Sequence, residues 1–243
     1  MTVLNIEHQD GVCVMTLQRP ERHNALNTEL TRGLLQALQD AHADDHCRAI
    51  VLSGSGKSFC AGADTTEFAG FSQDTNQATV RAELTASLHA AFSSVHKPIV
   101  SAVWGNAMGG GAGLALACDM VVACADTRFG YPEIKHGICP AIVMANLTRQ
   151  VGIKRAFELV STARMLDGHE LYAWGLAARV TDTPLDTLEA AIAVARTWAE
   201  YPPQALSATK QLFYQTLDLP FAEGLDTGRR RNIEMRRYAQ PKH

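Results

Sequence analysis

The sequence has little that would support metal or redox chemistry. Its six cysteines form no CxxC pair, and its nine histidines show no clustered ligand spacing, so we expect no metal site. Several of the cysteines lie in apolar runs, which is typical of reduced core residues in a cytosolic protein. The cysteines stand at positions 13, 47, 60, 118, 124 and 139.

The sequence also lacks a membrane segment and an excess of basic charge. No window offers about eighteen consecutive apolar residues, and the N-terminus has no basic stretch followed by a long apolar run. A net charge of -3 argues against nucleic acid as a partner, because phosphate-backbone binding needs a concentrated basic surface. We therefore expect a cytoplasmic protein that binds neither membranes nor nucleic acid. A small anionic ligand needs only a few cations and stays possible.

The N-terminal pattern predicts a hairpin followed by a helix. Residues 4–7 and 12–17 are short β-rich runs, and the Asp-Gly pair between them favours a hairpin turn. Asn27 stands where an N-cap is needed, and apolar residues then recur at helical spacing as far as Ala41. An amphipathic helix is therefore expected after the hairpin.

Strand and helix patterns alternate through the middle of the chain and predict an α/β fold. Three runs that are apolar on both faces predict strands covered on both sides, at 49–52, 99–103 and 120–123. A helical pattern from Val80 to Val95 separates the first two runs. The segment 68–79 before that helix is expected to be the most mobile part of the chain.

The C-terminal third is mainly helical by pattern. An Ala-rich run from Leu185 to Trp198 is interrupted at Pro202 and Pro203, and two further helices follow. No linker rich in Gly, Ser or Pro separates independent domains. We therefore divide the chain into a core over residues 1–190 and a C-terminal helical region over residues 191–243, which is a candidate oligomer contact.

A glycine-rich run from Gly105 to Gly113 gives the first indication of a ligand. A P-loop starting at Gly105 would require lysine at position 111, where the chain has glycine. A dinucleotide fingerprint starting at Gly111 would require its third glycine at position 116, where the chain has leucine. Both nucleotide interpretations fail. Consecutive glycines at a helix start instead let backbone amides reach an anion or oxyanion, and a second run of small residues, 58–64, could supply another amide.

Three motifs in this order resemble those of the crotonase, or enoyl-CoA hydratase/isomerase, superfamily. They are Phe59-Cys60-Ala61-Gly62-Ala63-Asp64, the run from Gly105 to Asp119, and Phe129-Gly130-Tyr131-Pro132-Glu133. The similarity covers nearly the whole chain, including Arg19-Pro20 and Asn24-Ala25-Leu26-Asn27. The resemblance implies a crotonase-type spiral of repeated ββα units with a C-terminal helical trimerisation region. It also implies a homotrimer or a hexamer that is a dimer of trimers.

The resemblance implies an acyl-CoA substrate, so that coenzyme A is part of the substrate and no separate cofactor is needed. The thioester oxygen would be held in an oxyanion hole formed by the backbone amides of Ala61 and Gly110. Ala61, Gly62, Ala63, Asp64 and Gly110 would line the substrate-binding site.

The family's hydratases use two glutamates, and the resemblance places the second at Glu133 but the first at Gly113. Adding water needs one group to activate water and another to exchange the α-proton. Moving a double bond needs only one base, which takes the α-proton and returns it at the γ-carbon. A vacant first-glutamate position at Gly113 therefore favours a Δ3,Δ2-enoyl-CoA isomerase of fatty acid metabolism, with Glu133 as the catalytic acid/base.

Three alternatives stay open beside that interpretation. Some bacterial branched-chain hydratase relatives carry glycine at the first site, so an enoyl-CoA hydratase of a branched-chain or aromatic catabolic pathway is the first. A non-catalytic acyl-CoA-binding homologue is the second, although Glu133 counts against it. Assistance from His136 or Cys139 is the third, although lone residues of these types are more often structural. Ala141 stands where dienoyl-CoA isomerases and aryl-CoA dehalogenases use aspartate, so neither of those chemistries is expected.

Overall fold

A computed structural model describes residues 2–67, 75–236 and 238 of the chain, and it confirms the opening hairpin. Strands β1 (Leu4–Gln9) and β2 (Val12–Leu17) pair antiparallel. Asp10 and Gly11 connect them with φ angles of 51° and 79°, the left-handed conformation that an Asp-Gly turn adopts readily. The local turn chemistry therefore sets the register of the first two strands.

A six-stranded sheet forms the centre of the fold, and a small three-stranded sheet lies beside it. The other strands of the large sheet are β3 (Ala49–Gly54), β4 (Ile99–Val103), β6 (Met120–Cys124) and β9 (Arg179–Thr181). Their order is β1-β2-β3-β4-β6-β9, and every pair after β1-β2 is parallel. The small sheet consists of β5 (Asn106–Met108), β7 (Arg128–Gly130) and β8 (Met165–Leu166), in the order β5-β7-β8.

The described residues form nine α-helices and three short 3₁₀ helices. The α-helices are α1 (Thr28–Ala43), α2 (Thr75–Ser94), α3 (Gly110–Ala117), α4 (Met144–Val151), α5 (Ile153–Thr162), α6 (Gly168–Ala173), α7 (Pro184–Ala199), α8 (Pro203–Leu217) and α9 (Phe221–Met235). The 3₁₀ helices are Pro20–Arg22, Thr65–Glu67 and Pro132–His136. Within the parts of the chain that the structure describes, no helix combines the length and apolarity needed to cross a membrane.

The central strands β2, β3, β4 and β6 of the large sheet are buried on both faces, as the runs apolar on both sides predicted for β3, β4 and β6. Alternate residues of β2 serve opposite cores: Cys13 and Met15 belong to one cluster, and Val12 and Val14 belong to the other. The second cluster is closed by α7, whose Ala191, Val194 and Ala195 are buried against the sheet. The apolar runs of the sequence therefore indicate a parallel sheet whose two faces are both packed against other parts of the chain.

Local capping also places α1 as predicted. The side chain of Asn27 accepts a hydrogen bond from the N–H of Leu30 at 2.9 Å. The helix α2 begins earlier than its pattern indicated, because residues 75–79 already belong to it. Residues 68–74, the rest of the segment expected to be mobile, lie outside the described residues.

The division between residues 190 and 191 falls inside α7. Because the buried face of α7 packs on the sheet, this helix belongs to the core, and the C-terminal helical region in the structure begins with α8 after Pro202. All six cysteines are free, and five of them are buried; Cys139 is exposed.

Candidate active site

Two backbone segments run side by side and carry the amides that the glycine-rich motifs predicted. The N–H of Cys60 donates to the carbonyl of Asn106 at 2.9 Å, and the N–H of Met108 donates back to the carbonyl of Cys60 at 3.0 Å. Cys60 and Ala107 thus form a parallel bridge. Three residues further along each segment, Ala63 and Gly110 meet. A Cβ atom built on Gly110 would lie 3.7 Å from the amide nitrogen of Ala63.

Hydrogen bonding identifies which amides at this meeting point are available to a ligand. The N–H of Ala61 already donates to the carbonyl of His23 at 2.9 Å, which corrects the expectation that Ala61 supplies an oxyanion-hole donor. The N–H groups of Ala63 and Gly110 have no acceptor in the described part of the chain. Gly110 is the first residue of α3, where helical amides have no intrahelical partner and the helix dipole favours negative charge. Ala63 and Gly110 are therefore the available pair.

The carboxylate of Glu133 lies against the residue that precedes this amide pair. Glu133 belongs to the 3₁₀ helix Pro132–His136, and a Cβ atom on Gly109 would lie only 2.5 Å from its Oε1. Gly109 has a φ of 52°, so a side chain there would be both strained and in collision with the carboxylate. Glycine at position 109 therefore makes room for the acid beside the amides.

Burial makes Glu133 a better proton carrier than an exposed glutamate. Removal from water raises the pKa of its carboxyl, although its own backbone N–H and the positive charge of His136 act in the opposite direction. His136 itself is exposed on the same short helix. A carboxyl whose pKa is raised both takes and returns protons more readily near neutral pH.

The volume next to Gly113 is occupied by two side chains that sequence motifs did not identify. A Cβ atom on Gly113 would lie 2.3 Å from Cγ1 of Val143 and 2.9 Å from Cε1 of His89. Val143 directly precedes α4, and His89 lies on α2. No spacing rule connects these distant segments with the glycine-rich run. A glutamate at position 113 would have no space unless both neighbours moved.

Three side chains around the glycine-rich run keep a buried polar atom without a partner. Among the described residues, these atoms are Oε2 of Glu133, Oη of Tyr131 and Nε2 of His89; the other unpaired atoms belong to arginines that are bonded through their remaining nitrogens. Each such atom costs about 1–3 kcal/mol when it stays unpaired. Their concentration here indicates a site that is completed by a ligand or by water.

The environments of these three groups also change their protonation. Burial lowers the pKa of His89 to about 4, so its imidazole is neutral at neutral pH. Burial, together with the negative charge of Glu133, raises the pKa of Tyr131. Tyr131 is fully buried and packs edge-to-face on Phe129, with ring centroids 5.8 Å apart. Of the three groups, Glu133 is therefore the one whose pKa is shifted toward neutral pH, because the pKa values of His89 and Tyr131 are shifted away from it.

Asp64 and Gly62 hold the amide-bearing loop in place. The carboxylate of Asp64 forms an ion pair with Arg19 at 2.9 Å and accepts a hydrogen bond from the hydroxyl of Thr66 at 2.7 Å. Although burial acts in the opposite direction, these bonds lower the pKa of Asp64. A Cβ atom on Gly62 would lie 2.6 Å from the carbonyl oxygen of Met108, so the two segments approach closely only with glycine there. The side chain of Asp64 is thus paired with other residues of the protein.

The chain is similar to known proteins over nearly its whole length. The model of the enoyl-CoA hydratase/isomerase family matches residues 7–239. A Thermus thermophilus protein provisionally named an enoyl-CoA hydratase is 43% identical over 220 residues, covering 89% of this chain and 84% of that protein. The 2,3-dehydroadipyl-CoA hydratase of Escherichia coli is 36% identical over 226 residues, covering 93% and 87%. The crystal structure of an enoyl-CoA hydratase from Mycobacterium smegmatis aligns with a TM-score of 0.91 at 27% identity, covering 96% and 91%.

Proposed function

Because the chain belongs to the enoyl-CoA hydratase/isomerase family, we propose that it acts on an enoyl-CoA thioester at the site between Ala63, Gly110 and Glu133. The amides of Ala63 and Gly110 hold the thioester oxygen, and Glu133 moves the proton. Removing one such donor from an oxyanion hole typically costs about 3–4 kcal/mol of transition-state stabilisation. Coenzyme A enters as part of the substrate, and no further cofactor takes part.

The reaction that this arrangement favours is Δ3,Δ2 isomerisation with a single base. The carboxylate of Glu133 takes the α-proton of a 3-enoyl thioester, and negative charge develops on the thioester oxygen between the two amides. The resulting acid then returns the proton at the γ-carbon, which gives the conjugated 2-enoyl thioester. The observation that carries this proposal is the filled volume at Gly113, where Val143 and His89 leave one carboxylate beside the amides.

Hydration of a 2-enoyl-CoA is the second candidate. The named relatives favour it, since the Escherichia coli protein and the Mycobacterium smegmatis protein are both named hydratases. Hydration requires a polar group that holds water beside Glu133. A non-catalytic acyl-CoA-binding protein is disfavoured because binding alone requires the amides but not a buried carboxylate.

Assembly as a homotrimer or as a dimer of trimers is part of the same proposal. The helices α8 and α9 expose large apolar side chains, which supports a partner surface in this region. Phe213 is 60% exposed, Phe221 is 82% exposed, and Leu225 is 60% exposed. Sedimentation analysis of the full chain tests this assembly: a monomer at micromolar concentration would contradict it.

Incubation with two substrates tests the proposed reaction. The wild-type protein receives a 3-enoyl-CoA in one reaction and the 2-enoyl-CoA of the same acyl chain in another. Conversion of the 3-enoyl thioester to a conjugated product of unchanged mass supports isomerisation, and addition of one water to the 2-enoyl thioester supports hydration. Tight binding of both thioesters without conversion would contradict catalysis and support the acyl-CoA-binding alternative.

A further inference from the structure

The ring of His89 lies beside Gly113 and has a polar atom without a partner among the described residues. Its Cε1 lies 2.9 Å from the position of a Cβ on Gly113. Nε2 is bonded to that carbon, is buried, and has no hydrogen-bond partner among the described residues. The unpaired nitrogen is therefore one bond away from the ring atom that lies against position 113. Its other neighbour there, Val143, offers only methyl groups.

His89 and Glu133 lie against the same turn of one helix. The N–H of Gly113 donates to the carbonyl of Gly109 at 2.9 Å, so the two glycines are one helical turn apart. Gly109 lies against the carboxylate of Glu133, and Gly113 lies against the ring of His89. Both unpaired polar groups thus lie along the first turn of α3, the turn that also carries the amide of Gly110. Each of the two groups needs a polar partner that the described part of the chain does not supply.

We propose that His89 binds the reacting water in a hydration of 2-enoyl-CoA at this site, where Gly113 provides no carboxylate. This inference rests on hydration, the second candidate of the proposed function, and it uses Glu133 as the proton carrier and the amides of Ala63 and Gly110 as the oxyanion hole. A neutral imidazole has one donor and one acceptor nitrogen, so Nε2 binds a water molecule in either tautomer. The lowered pKa of His89, about 4, keeps it neutral near pH 7.

One carboxylate is enough to balance the protons in this hydration. The water bound to His89 forms a bond from its oxygen to the β-carbon, and the carboxylate of Glu133 takes one of its protons. The π electrons of the double bond move to give a thioester enolate, which the two amides hold. Glu133 then gives the same proton to the α-carbon, which yields the 3-hydroxyacyl thioester and restores the carboxylate. His89 orients the water and neither gains nor loses a proton.

Two polar substitutions of His89 separate this role from a merely structural one. His89→Gln places an amide nitrogen near the position of Nε2, whereas His89→Asn places its amide near Nδ1. Hydration of a 2-enoyl-CoA and isomerisation of the matching 3-enoyl-CoA are measured in both variants. The control is His42→Leu, which removes a histidine from α1, where its ring packs edge-to-face on His96 away from this site.

The inference predicts a split between the two activities. His89→Asn lowers the rate of hydration by about tenfold or more and leaves isomerisation within about threefold, since a lost hydrogen bond of about 1.4 kcal/mol is a factor of ten. His89→Gln retains more hydration than His89→Asn, and His42→Leu changes neither activity. The result that overturns the inference is a wild-type protein that isomerises without hydrating, or a His89→Asn protein that hydrates at the wild-type rate. A wild-type protein with neither activity overturns the proposed function itself.

Discussion

Two of the buried polar clusters in this protein differ in how completely they are paired. At Lys210 the ammonium forms an ion pair with Asp119 at 2.8 Å and donates to the carbonyl of Lys97 at 2.9 Å. Asp119 also accepts from the hydroxyl of Tyr214 at 2.7 Å and from the N–H of Ile99 at 2.7 Å. Around Glu133, in contrast, three buried polar atoms, one each of Glu133, Tyr131 and His89, have no partner in the described part of the chain.

The difference separates a structural cluster from a site made for a ligand. Lys210 and Tyr214 lie on α8, so their bonds to Asp119 attach this helix to the start of β6. Burial lowers the pKa of Lys210 and raises that of Asp119, yet each holds the other's charge in place. Among the residues that the structure describes, Glu133 has no such counter-ion in contact, and this leaves its carboxyl free to exchange a proton.

The largest effect is expected from removing the proton carrier. Glu133→Gln keeps the shape of the side chain but cannot accept a proton, so turnover of enoyl-CoA should fall by about 10⁴-fold or more. Steady-state rates with enoyl-CoA, and thermal stabilisation by acyl-CoA, measure turnover and binding separately. The exposed Glu189 on α7 provides the matched control, Glu189→Gln. Retained turnover in Glu133→Gln would remove this residue from the mechanism.

The next largest effect is expected at the paired cluster. Lys210→Met leaves the charge of Asp119 without its partner and should lower the free energy of unfolding by about 3 kcal/mol. Denaturant unfolding measures this loss, while turnover per folded molecule stays at the wild-type level. The double variant Lys210→Met/Asp119→Asn should recover part of the stability, because the amide still accepts from Ile99. A double variant less stable than the single one would contradict this account of the cluster.

A third prediction concerns the filled volume at position 113. Gly113→Ala forces a methyl group to within 2.3 Å of Val143 and should cost about 1–3 kcal/mol. Val143→Ala removes the obstructing methyl groups, so the double variant should be more stable than the sum of the two single losses predicts. Unfolding of the four proteins of this double-mutant cycle gives the coupling. Strict additivity would show that Val143 does not limit this position.

A fourth effect, spread over more than two pH units, is expected in the pH dependence of stability. The folded pKa of His89 is about 4, below the unfolded value of 6.5, so the unfolded chain takes up the proton first. This histidine should therefore remove up to about 1.4 kcal/mol of stability per pH unit as pH falls from about 6.5 to about 4. The wild-type protein should lose stability relative to His89→Gln over that window and not above it. Parallel pH profiles would contradict the burial of this imidazole.

The smallest effect is a gain in stability when the unpaired carboxylate is removed. The folded pKa of Glu133 lies above the unfolded value, so folding disfavours its ionised form and the cost is present in full above the folded pKa. Glu133→Gln should therefore have a higher Tm than the wild-type protein at pH 8, and this gain should vanish near pH 4. Thermal scans at the two pH values measure it. A lower Tm at pH 8 would show that the carboxylate stabilises the fold.

Sequence reasoning succeeds where the signal is local. The Asp10-Gly11 turn and the Asn27 cap depend on neighbouring residues alone, and the structure has both. The covered strands show as runs that are apolar on both faces. The short strands β8 and β9, of two and three residues, contain too few positions for a periodic pattern.

The candidate site shows where local signals end. The motifs identify Gly110 and Glu133 as site residues. They do not identify which alanine supplies the second amide, because Ala61 and Ala63 stand two residues apart in one run of small residues. Only the tertiary bond from Ala61 to His23 distinguishes them. His89 reaches the site from α2, through packing between segments that are distant in the sequence. Burial and hydrogen-bond accounting identify it, and no motif does.

The most direct test of the central claim is exchange of the α-hydrogens of saturated acyl-CoA thioesters in D₂O. Formation of an enolate between the amides of Ala63 and Gly110 requires a base but no double bond, so the test does not depend on which enoyl reaction follows. Saturated acyl-CoA thioesters of several chain lengths are incubated with the wild-type protein and with Glu133→Gln. Mass spectrometry follows the incorporation of deuterium at the α-carbon. The account predicts incorporation by the wild-type protein and none by Glu133→Gln. Equal incorporation by both, or none by either, would contradict it.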